Sequence, residues 1–339
     1  MPTLTIHKAG PGLTVQDLGR PGWKAQGLST GGAADPLALL ESAAVLGVKP
    51  SDAVIEMMGF GGTFSMDEDM RIALTGAVMQ ADIDGEAVAH NTTHVLPAGA
   101  KLIIRAASKG VYGYLRFAGG IATAPIMGSR ATHLTAGIGK RLEAGDTLPL
   151  GSDPDPSGAP QKLPKTDRFA GGTIRIMPGP QTDFFRKEAQ RAFCAAQFRR
   201  GQSGNRQGIK LEHKGNIFGT SSGLTHVSDL IVPGDIQITG AGVSYILLAE
   251  CQTIGGYPRI GNVIPADLPK IAQAPPGTPL QFQFLTLAEA DATATAQTDQ
   301  LHALTKSCQP LIRDPHDIAD LLGYQLISGA TPGDDLERP

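Results

Sequence analysis

The stretch VSYILLAECQTIGGYPRIG, Val243 to Gly261, drives an apolar run into a polar bend with paired glycines. Ser244 to Ala249 has the length and composition of a buried strand, so the chemistry is expected where that strand ends. Gly255-Gly256 allows positive φ or close approach to a ligand or another strand, and Pro258 holds the residue before it extended. Around this one bend Gln252, Thr253, Tyr257 and Arg259 can present amides, hydroxyls and a guanidinium. A tight strand connection with a polar rim has the same composition, because glycine and proline mark turns more often than sites. Cys251 is open to two readings, a reactive nucleophile or a buried small residue, and no base is paired with it locally.

Upstream, SGNRQG is a polar turn carrying Arg206 before a strand at Ile209 to Glu212, and PGDIQI is a turn and strand carrying Gln237. Downstream, Asp267 begins a short segment toward Gln273, LQFQF alternates as a strand to Phe284, and Ala288 to Leu304 reads as an alanine-rich helix. The tail from Pro332 is expected to fray. Further back, Thr173 to Met177 reads as a strand and Asp183 to Phe193 as a helix. The proline-rich residues 151–170 read as an extended, exposed linker.

The half before that linker reads as short strands: Leu4 to Ile6, Ala53 to Met58, Arg71 to Thr75, Val78 to Ile83, His94 to Leu96, Lys101 to Ala106 and Val111 to Phe117. Asp84-Gly85, Ala98-Gly99 and Lys109-Gly110 are turn signals between them. Strands this short and regular predict a barrel or sandwich. Asp35-Pro36 at the head of Leu37 to Gly47 reads as the cap and first residue of a short helix, and Gly31-Gly32 before it could cradle an anion. Gln16, Asp17 and Arg20 stand on a constrained loop, either as turn chemistry with Asp17 closing an Asx-type turn and pairing with Arg20, or as a cluster at a pocket edge. Trp23 could wall such a pocket or cap a core. GSRATH, with Arg130, is a further polar cluster beside glycines.

At 339 residues the chain can bury one large or two medium cores, and its 43 glycines and 25 prolines are scattered between apolar runs. We read two domains, 1–150 and 171–286, joined by the linker 151–170 and followed by a helical extension and tail, 287–339. With 29 basic and 32 acidic residues intermixed, there is no footprint for nucleic acid or an anionic membrane. No run approaches the ~18 apolar residues of a membrane span, and the N-terminus lacks a signal-peptide pattern, so a cytoplasmic protein is expected. The 3 cysteines argue against a disulfide framework. The histidines show no metal spacing, so no catalytic metal is expected. No segment ends in the Gly-Lys-Ser/Thr of a P-loop.

Taken together, GPGLTVQDLGRPG, GGAADPLAL, ALTGA, GSRATH, CQTIGGYPRIGNVIPADLPKIAQAPPG and the late LISG resemble the biotin-dependent carboxyltransferase family, also called allophanate hydrolase subunit 2. The resemblance implies two tandem cyclophilin-like β-barrels, mainly β with a few short helices. It also implies a heteromer with a B component that is like allophanate hydrolase subunit 1. In the 5-oxoprolinase members, three components designated A, B and C open 5-oxo-L-proline to L-glutamate with ATP, so ATP is expected of the complex. The family's other reaction moves a carboxyl group from carboxybiotin to a urea-like substrate; biotin would then arrive on another protein, since no biotinyl-lysine context occurs in this chain. A third role is a non-catalytic binding or regulatory module. For either enzyme, a small amide or lactam and a developing anion share one site, which suits preorganised amide and guanidinium donors. The resemblance carries over Gln16, Asp17, Arg20, Gln237, Gln252, Thr253, Gly255, Gly256 and Tyr257; by donor type and clustering the catalytic candidates are Gln252, Thr253, Tyr257 and Arg20, and the substrate-binding candidates Gln16, Asp17, Gln237, Gly255, Gly256, Arg259, Arg206 and Arg130. At the strand end, Glu250, Cys251 and Ile254 stand where the family pattern has aspartate, arginine and threonine.

Overall fold

A computed structural model describes residues 1–164, 166–215, 218–220, 227–295 and 297–311; LISG and the tail from Pro332 lie outside them. The N-terminal half supplies β1 (Thr3–Ala9), β2 (Leu13–Gln16), helix α1 (Pro36–Leu46), β3 (Val54–Met58), β4 (Gly62–Met66), β5 (Met70–Ile83), β6 (Glu86–Val88), β7 (Thr93–Leu96), β8 (Leu102–Phe117) and β9 (Thr147–Pro149). These strands form one 9-stranded sheet in which β5 and β8 are the long antiparallel pair. Each of those two was expected as a pair of shorter strands. Gly76 and Gly110 take φ of 75° and 81°, but as bulges that shift register inside continuous strands and not as turns. A Cβ on Gly76 would lie 2.5 Å from the Tyr112 carbonyl oxygen, so the bulge depends on glycine.

The chain continues through β10 (Gln161–Lys162), β11 (Gly172–Met177), α2 (Lys187–Ala195), β12 (Phe198–Gly204), β13 (Gly208–His213), β14 (Asp229–Leu230), β15 (Asp235–Ile238), β16 (Ser244–Leu247), β17 (Ile254–Gly255), β18 (Arg259–Val263), α3 (Leu268–Gln273) and β19 (Pro279–Phe284). After them come α4 (Leu287–Thr293), α5 (Gln297–Ser307) and β20 (Gln309–Pro310). The order β11-β18-β15-β16-β13-β12-β19 closes a barrel, sealed by the parallel pair β11–β19. Its core includes Phe193, Phe198 and Phe282 at ring-centroid separations of 4.8 to 5.2 Å. The architecture is mainly β with few helices, as the sequence implied. The 151–170 stretch is less exposed than expected. Gln161 and Lys162 pair with β20, and Arg168 is buried on Glu41 and Asp35 at 2.6 and 2.9 Å. No helix among the described residues is long and apolar enough to cross a membrane.

Helix α1 is capped by Asp35, whose side chain accepts from Ala38 N at 3.3 Å, and ends at Gly47 in the left-handed region. It is buried on nearly every face, which explains its run of Ala and Leu without polar alternation. Its N-terminal end lies at the seam between the halves. Gln273 of α3, fully buried, crosses that seam: its Oε1 accepts from Val111 N and Tyr112 N at 2.9 and 3.0 Å, and its Nε2 donates to Asp35 Oδ2 and Tyr112 O at 2.9 and 2.7 Å. Arg206, from the turn after β12, makes the second crossing. It pairs with Glu56 of β3, donates to the Gly32 carbonyl, and donates from Nε to Glu250 at 2.5 Å. Burial opposes its charge, yet Glu56 and Glu250 hold its pKa above the ordinary arginine value.

A buried pair broken on one side leaves the other charge stranded, at a cost of about 3–5 kcal/mol. We therefore expect Arg206→Met to destabilise the chain by about that amount in urea unfolding, and Arg206→Met with Glu56→Gln and Glu250→Gln to recover most of it. A single substitution that costs less than ~1 kcal/mol would contradict this assignment.

Candidate functional site

The β16 strand ends at Leu247, two residues before the expected Ala249, and the residues after it run along the seam. Gly31 N donates to Ala249 O at 3.2 Å, which brings the Gly31-Gly32 bend of the first half against the strand end of the second. Glu250, 2% exposed, then faces the first half: its Oε2 accepts from Thr135 N and Thr135 Oγ1, both at 3.2 Å, while Oε1 takes Arg206 Nε. Next to it His133 caps the 3-10 turn Leu134–Ala136, with Nδ1 accepting from Ala136 N at 3.2 Å. The other ring nitrogen, Nε2, lies 2.8 Å from Ser29 Oγ, and Nδ1 lies 3.9 Å from Glu250 Oε2. Ser29, His133 and Glu250 thus meet from three distant stretches of chain.

A cavity of about 440 Å³ opens there, lined by Ser29, His133, Thr135, Cys251, Gln252 and Thr253 among others. A second, of about 350 Å³, lies at the barrel mouth against Asn205, Gln237, Tyr245, Cys251, Gln252 and Tyr257. Cys251 and Gln252 line both, so the two adjoin at this pair. A larger cavity of about 770 Å³ runs beneath α5 past Leu37, Leu40, Leu268 and Leu304. Its mainly apolar walls offer few groups to orient a polar substrate, and we place the site in the two polar cavities.

Gln237, Gln252, Thr253 and Tyr257, all expected from the sequence, line these polar cavities. Gly255 serves by close approach and not by positive φ: a Cβ there would lie 2.8 Å from Gln237 Nε2. Gly256 follows in the same bend. The charged candidates are placed otherwise. All three nitrogens of Arg206 are taken by the seam. Arg259, 4% exposed, is held by Asp229, the Leu230 carbonyl, Gln181 at 3.2 Å and Asp235 at 3.3 Å. Asp17 does close an Asx turn, accepting from Gly19 N at 2.7 Å, and it also accepts from Ser129 Oγ and Arg130 N, each at 2.6 Å. With its oxygens so occupied it does not pair with Arg20, whose donors go to the carbonyls of Ile126 and Ala131 while Nη1 has no hydrogen-bond partner among the described residues. Arg130 Nε donates to Thr123 O at 2.6 Å, and the Gln16 amide donates to Thr14 and Thr132, both at 3.1 Å. Gln16, Asp17, Arg20 and Arg130 therefore fasten the first-half loops to one another.

Two open readings are decided by burial and hydrogen bonding. Burial pushes the Cys251 thiol up to about 12, with Asp235 adding to the effect, and Cys251 packs on Ile231 and Leu247. It is a buried small residue, not a thiolate. The Gly31-Gly32 bend is no anion cradle, because the amides that follow are spent: Ala33 N on Asp17 O at 2.9 Å, Ala34 N on Glu56 at 2.9 Å and Asp35 N on Tyr114 at 2.8 Å. The bend does not fit a triphosphate. Among the described residues no group of three or more His, Cys, Asp and Glu is placed to hold a metal ion. Trp23 is partly exposed and lines neither polar cavity.

Sequence reading missed Ser29 and His133 and saw Glu250 only as a departure from a pattern. Nothing local marks Ser29, and His133 stood inside a cluster noted for Ser, Arg and Thr. Their pairing spans 104 residues.

Two β units thus meet at a buried polar seam, with hydrogen-bonding cavities opening on it. The chain belongs to the carboxyltransferase-domain family: the family model for the carboxyltransferase domain, subdomains A and B, matches residues 26–284. It is 34% identical over 291 residues to the C subunit of the Escherichia coli K12 5-oxoprolinase, covering 85% of this chain and 93% of that one. The crystal structure of TTHA0988 superposes with a TM-score of 0.77 at 29% identity, over 84% of this chain; the chain spans 56% of that protein's length. The Kluyveromyces lactis urea carboxylase shares the fold, with a TM-score of 0.78 at 21% identity over 92% of this chain and 31% of that one.

Burial lowers the pKa of His133; Glu250 opposes the shift, and Arg20 and Arg206 add to it. The folded state thus binds this proton more weakly than the unfolded chain. The stability associated with neutral His133 is present above the unfolded value of about 6.5 and is lost as pH falls toward the lowered value. Melting temperatures taken from pH 8 down to 5 should fall more steeply in the native chain than in His133→Gln; parallel curves would contradict this.

Proposed function

We propose that this chain is the C subunit of an ATP-dependent 5-oxoprolinase or a closely related lactam or amide hydrolase, acting with A and B partner subunits. The observation that carries the reading is the 34% identity to the C subunit of a 5-oxoprolinase, across 93% of that protein. The cavity chemistry supports it. A small cyclic amide asks for a few fixed donors and acceptors in a confined space, and Gln237, Gln252, Thr253 and Tyr257 offer carboxamides and hydroxyls around adjoining cavities. Donors preorganised around a site favour charge that develops on a carbonyl oxygen.

We assign ATP to one of the partners, a reading supported by the Ala33, Ala34 and Asp35 amides before α1 being bonded within the protein. Carboxyl transfer from carboxybiotin carried by another protein is the second reading, favoured by the family model's own description. It uses the same cavities for a urea-like substrate.

Purified A and B partners should release glutamate from 5-oxo-L-proline and ATP only when this chain is added, and Gln252→Ala should reduce kcat/KM by about tenfold with the complex still assembled. Glutamate release of equal rate without this chain would overturn the assignment. Carboxylation of urea in the presence of a carboxybiotin donor would favour the second reading.

A further inference from the structure

The neutral imidazole of His133 has one proton to place. The Ala136 amide is shared between the His133 carbonyl at 3.1 Å and Nδ1 at 3.2 Å; with Nδ1 accepting, we infer that the proton sits on Nε2 and is donated to Ser29 Oγ at 2.8 Å. That direction matters for Ser29. Its oxygen is an acceptor in this bond, so its own O–H is free to turn elsewhere, and among the described residues no acceptor within the protein takes it. Ser29 is 3% exposed and borders the 440 Å³ cavity beside Gln252 and Thr253.

The arrangement around the pair is built and not incidental. Glu250 lies behind the ring, fixed by Arg206 at 2.5 Å and by Thr135 at 3.2 Å, and its 3.9 Å distance to Nδ1 leaves the Ala136 bond in place. Gly31, with φ of 64°, passes the ring so closely that a Cβ would lie 3.1 Å from His133 Cδ2. The ring is thereby held between the seam and the cavity. The triad order familiar from serine hydrolases requires the opposite tautomer, with Nδ1–H on the carboxylate and Nε2 accepting from serine. Here Ser29 is not activated as a nucleophile; it is polarised as a donor.

We propose that Ser29 O–H is a substrate-contacting hydrogen-bond donor for the carbonyl oxygen of a small amide or lactam, and that His133 is the positioning residue that turns it toward the cavity. For the reaction it serves, this inference rests on the 5-oxoprolinase reading; for ligand binding it does not. A carbonyl gaining negative charge is held by Ser29 at one side and by the Gln252 and Thr253 donors at the other. Replacing the donor removes an interaction that strengthens as charge develops, and such losses fall mainly on kcat.

The experiment has two arms. In the reconstituted complex, Ser29→Ala should lower kcat on 5-oxo-L-proline by about 100-fold with little change in KM, and Ser29→Thr, which keeps the hydroxyl, should recover most of it. In the full chain alone, the ¹⁵N resonance of His133 Nε2, assigned by its loss in His133→Gln, should show the Nε2–H tautomer at pH 7.5 and shift on adding 5-oxo-L-proline. That shift should vanish in Ser29→Ala. Turnover by the native complex with Ser29→Ala equally active overturns this inference and leaves the 5-oxoprolinase reading intact. A ligand-dependent shift lost in Ser29→Ala, in a complex that does not turn over 5-oxo-L-proline, supports the inference and removes that reading. Absence of both turnover and shift overturns the two together.

Discussion

The guanidinium of Arg206 is the interaction on which the rest depends. It leaves the second half at a polar turn and ends between Glu56 and the Gly32 carbonyl of the first half, with Glu250 of its own half on the third nitrogen. Taking these three charges out of water is costly, and their attraction offsets the cost only if the geometry is held. A planar fork with fixed donors meets that condition, which lysine cannot. Gln273 completes the seam with hydrogen bonds to the Asp35 carboxylate and the β8 backbone. The two halves consequently meet in one register.

The candidate site is a consequence of that register. Glu250 can stand behind His133 only because Arg206 fixes it, and His133 can reach Ser29 only because the Gly31 bend is drawn against Ala249. Charges at the seam hold the halves together, while the cavity surface is left to neutral donors: Ser29, Gln237, Gln252, Thr253 and Tyr257. This division explains why Arg206 and Arg259, which looked like ligand-binding groups, are engaged with protein atoms. A buried guanidinium without partners would be costly, and Arg206 and Arg259 acquire their partners from distant segments.

Much of the fold was legible in the sequence. The short strands, the Asp35-Pro36 helix start and the Gly47 stop obey local rules, and the run toward Gln252 marks the strand end to within two residues. Elements went astray where one residue type serves two geometries. Gly110 reads as a turn and Gly76 as a break between strands, but both form bulges, because only the partner strand decides whether pairing resumes beyond them. Arg168 sits in a proline-rich stretch that reads as exposed, and its burial depends on Glu41 and Asp35 far earlier in the chain. In the site, the neutral donors near the 250s bend were found because they share one loop. Ser29 and His133 were not, because their meaning lies in a contact that no local pattern encodes.

The proposed site for a small amide lies at the seam, between groups that only the assembled halves bring together. The most direct test is a crystal structure of the complex with its A and B partners, grown with 5-oxo-L-proline and a non-hydrolysable ATP analogue. Density for the lactam within reach of Ser29, Gln252 and Thr253 is the predicted result. Lactam bound wholly within one of the partners, or in the apolar cavity beneath α5, would contradict it.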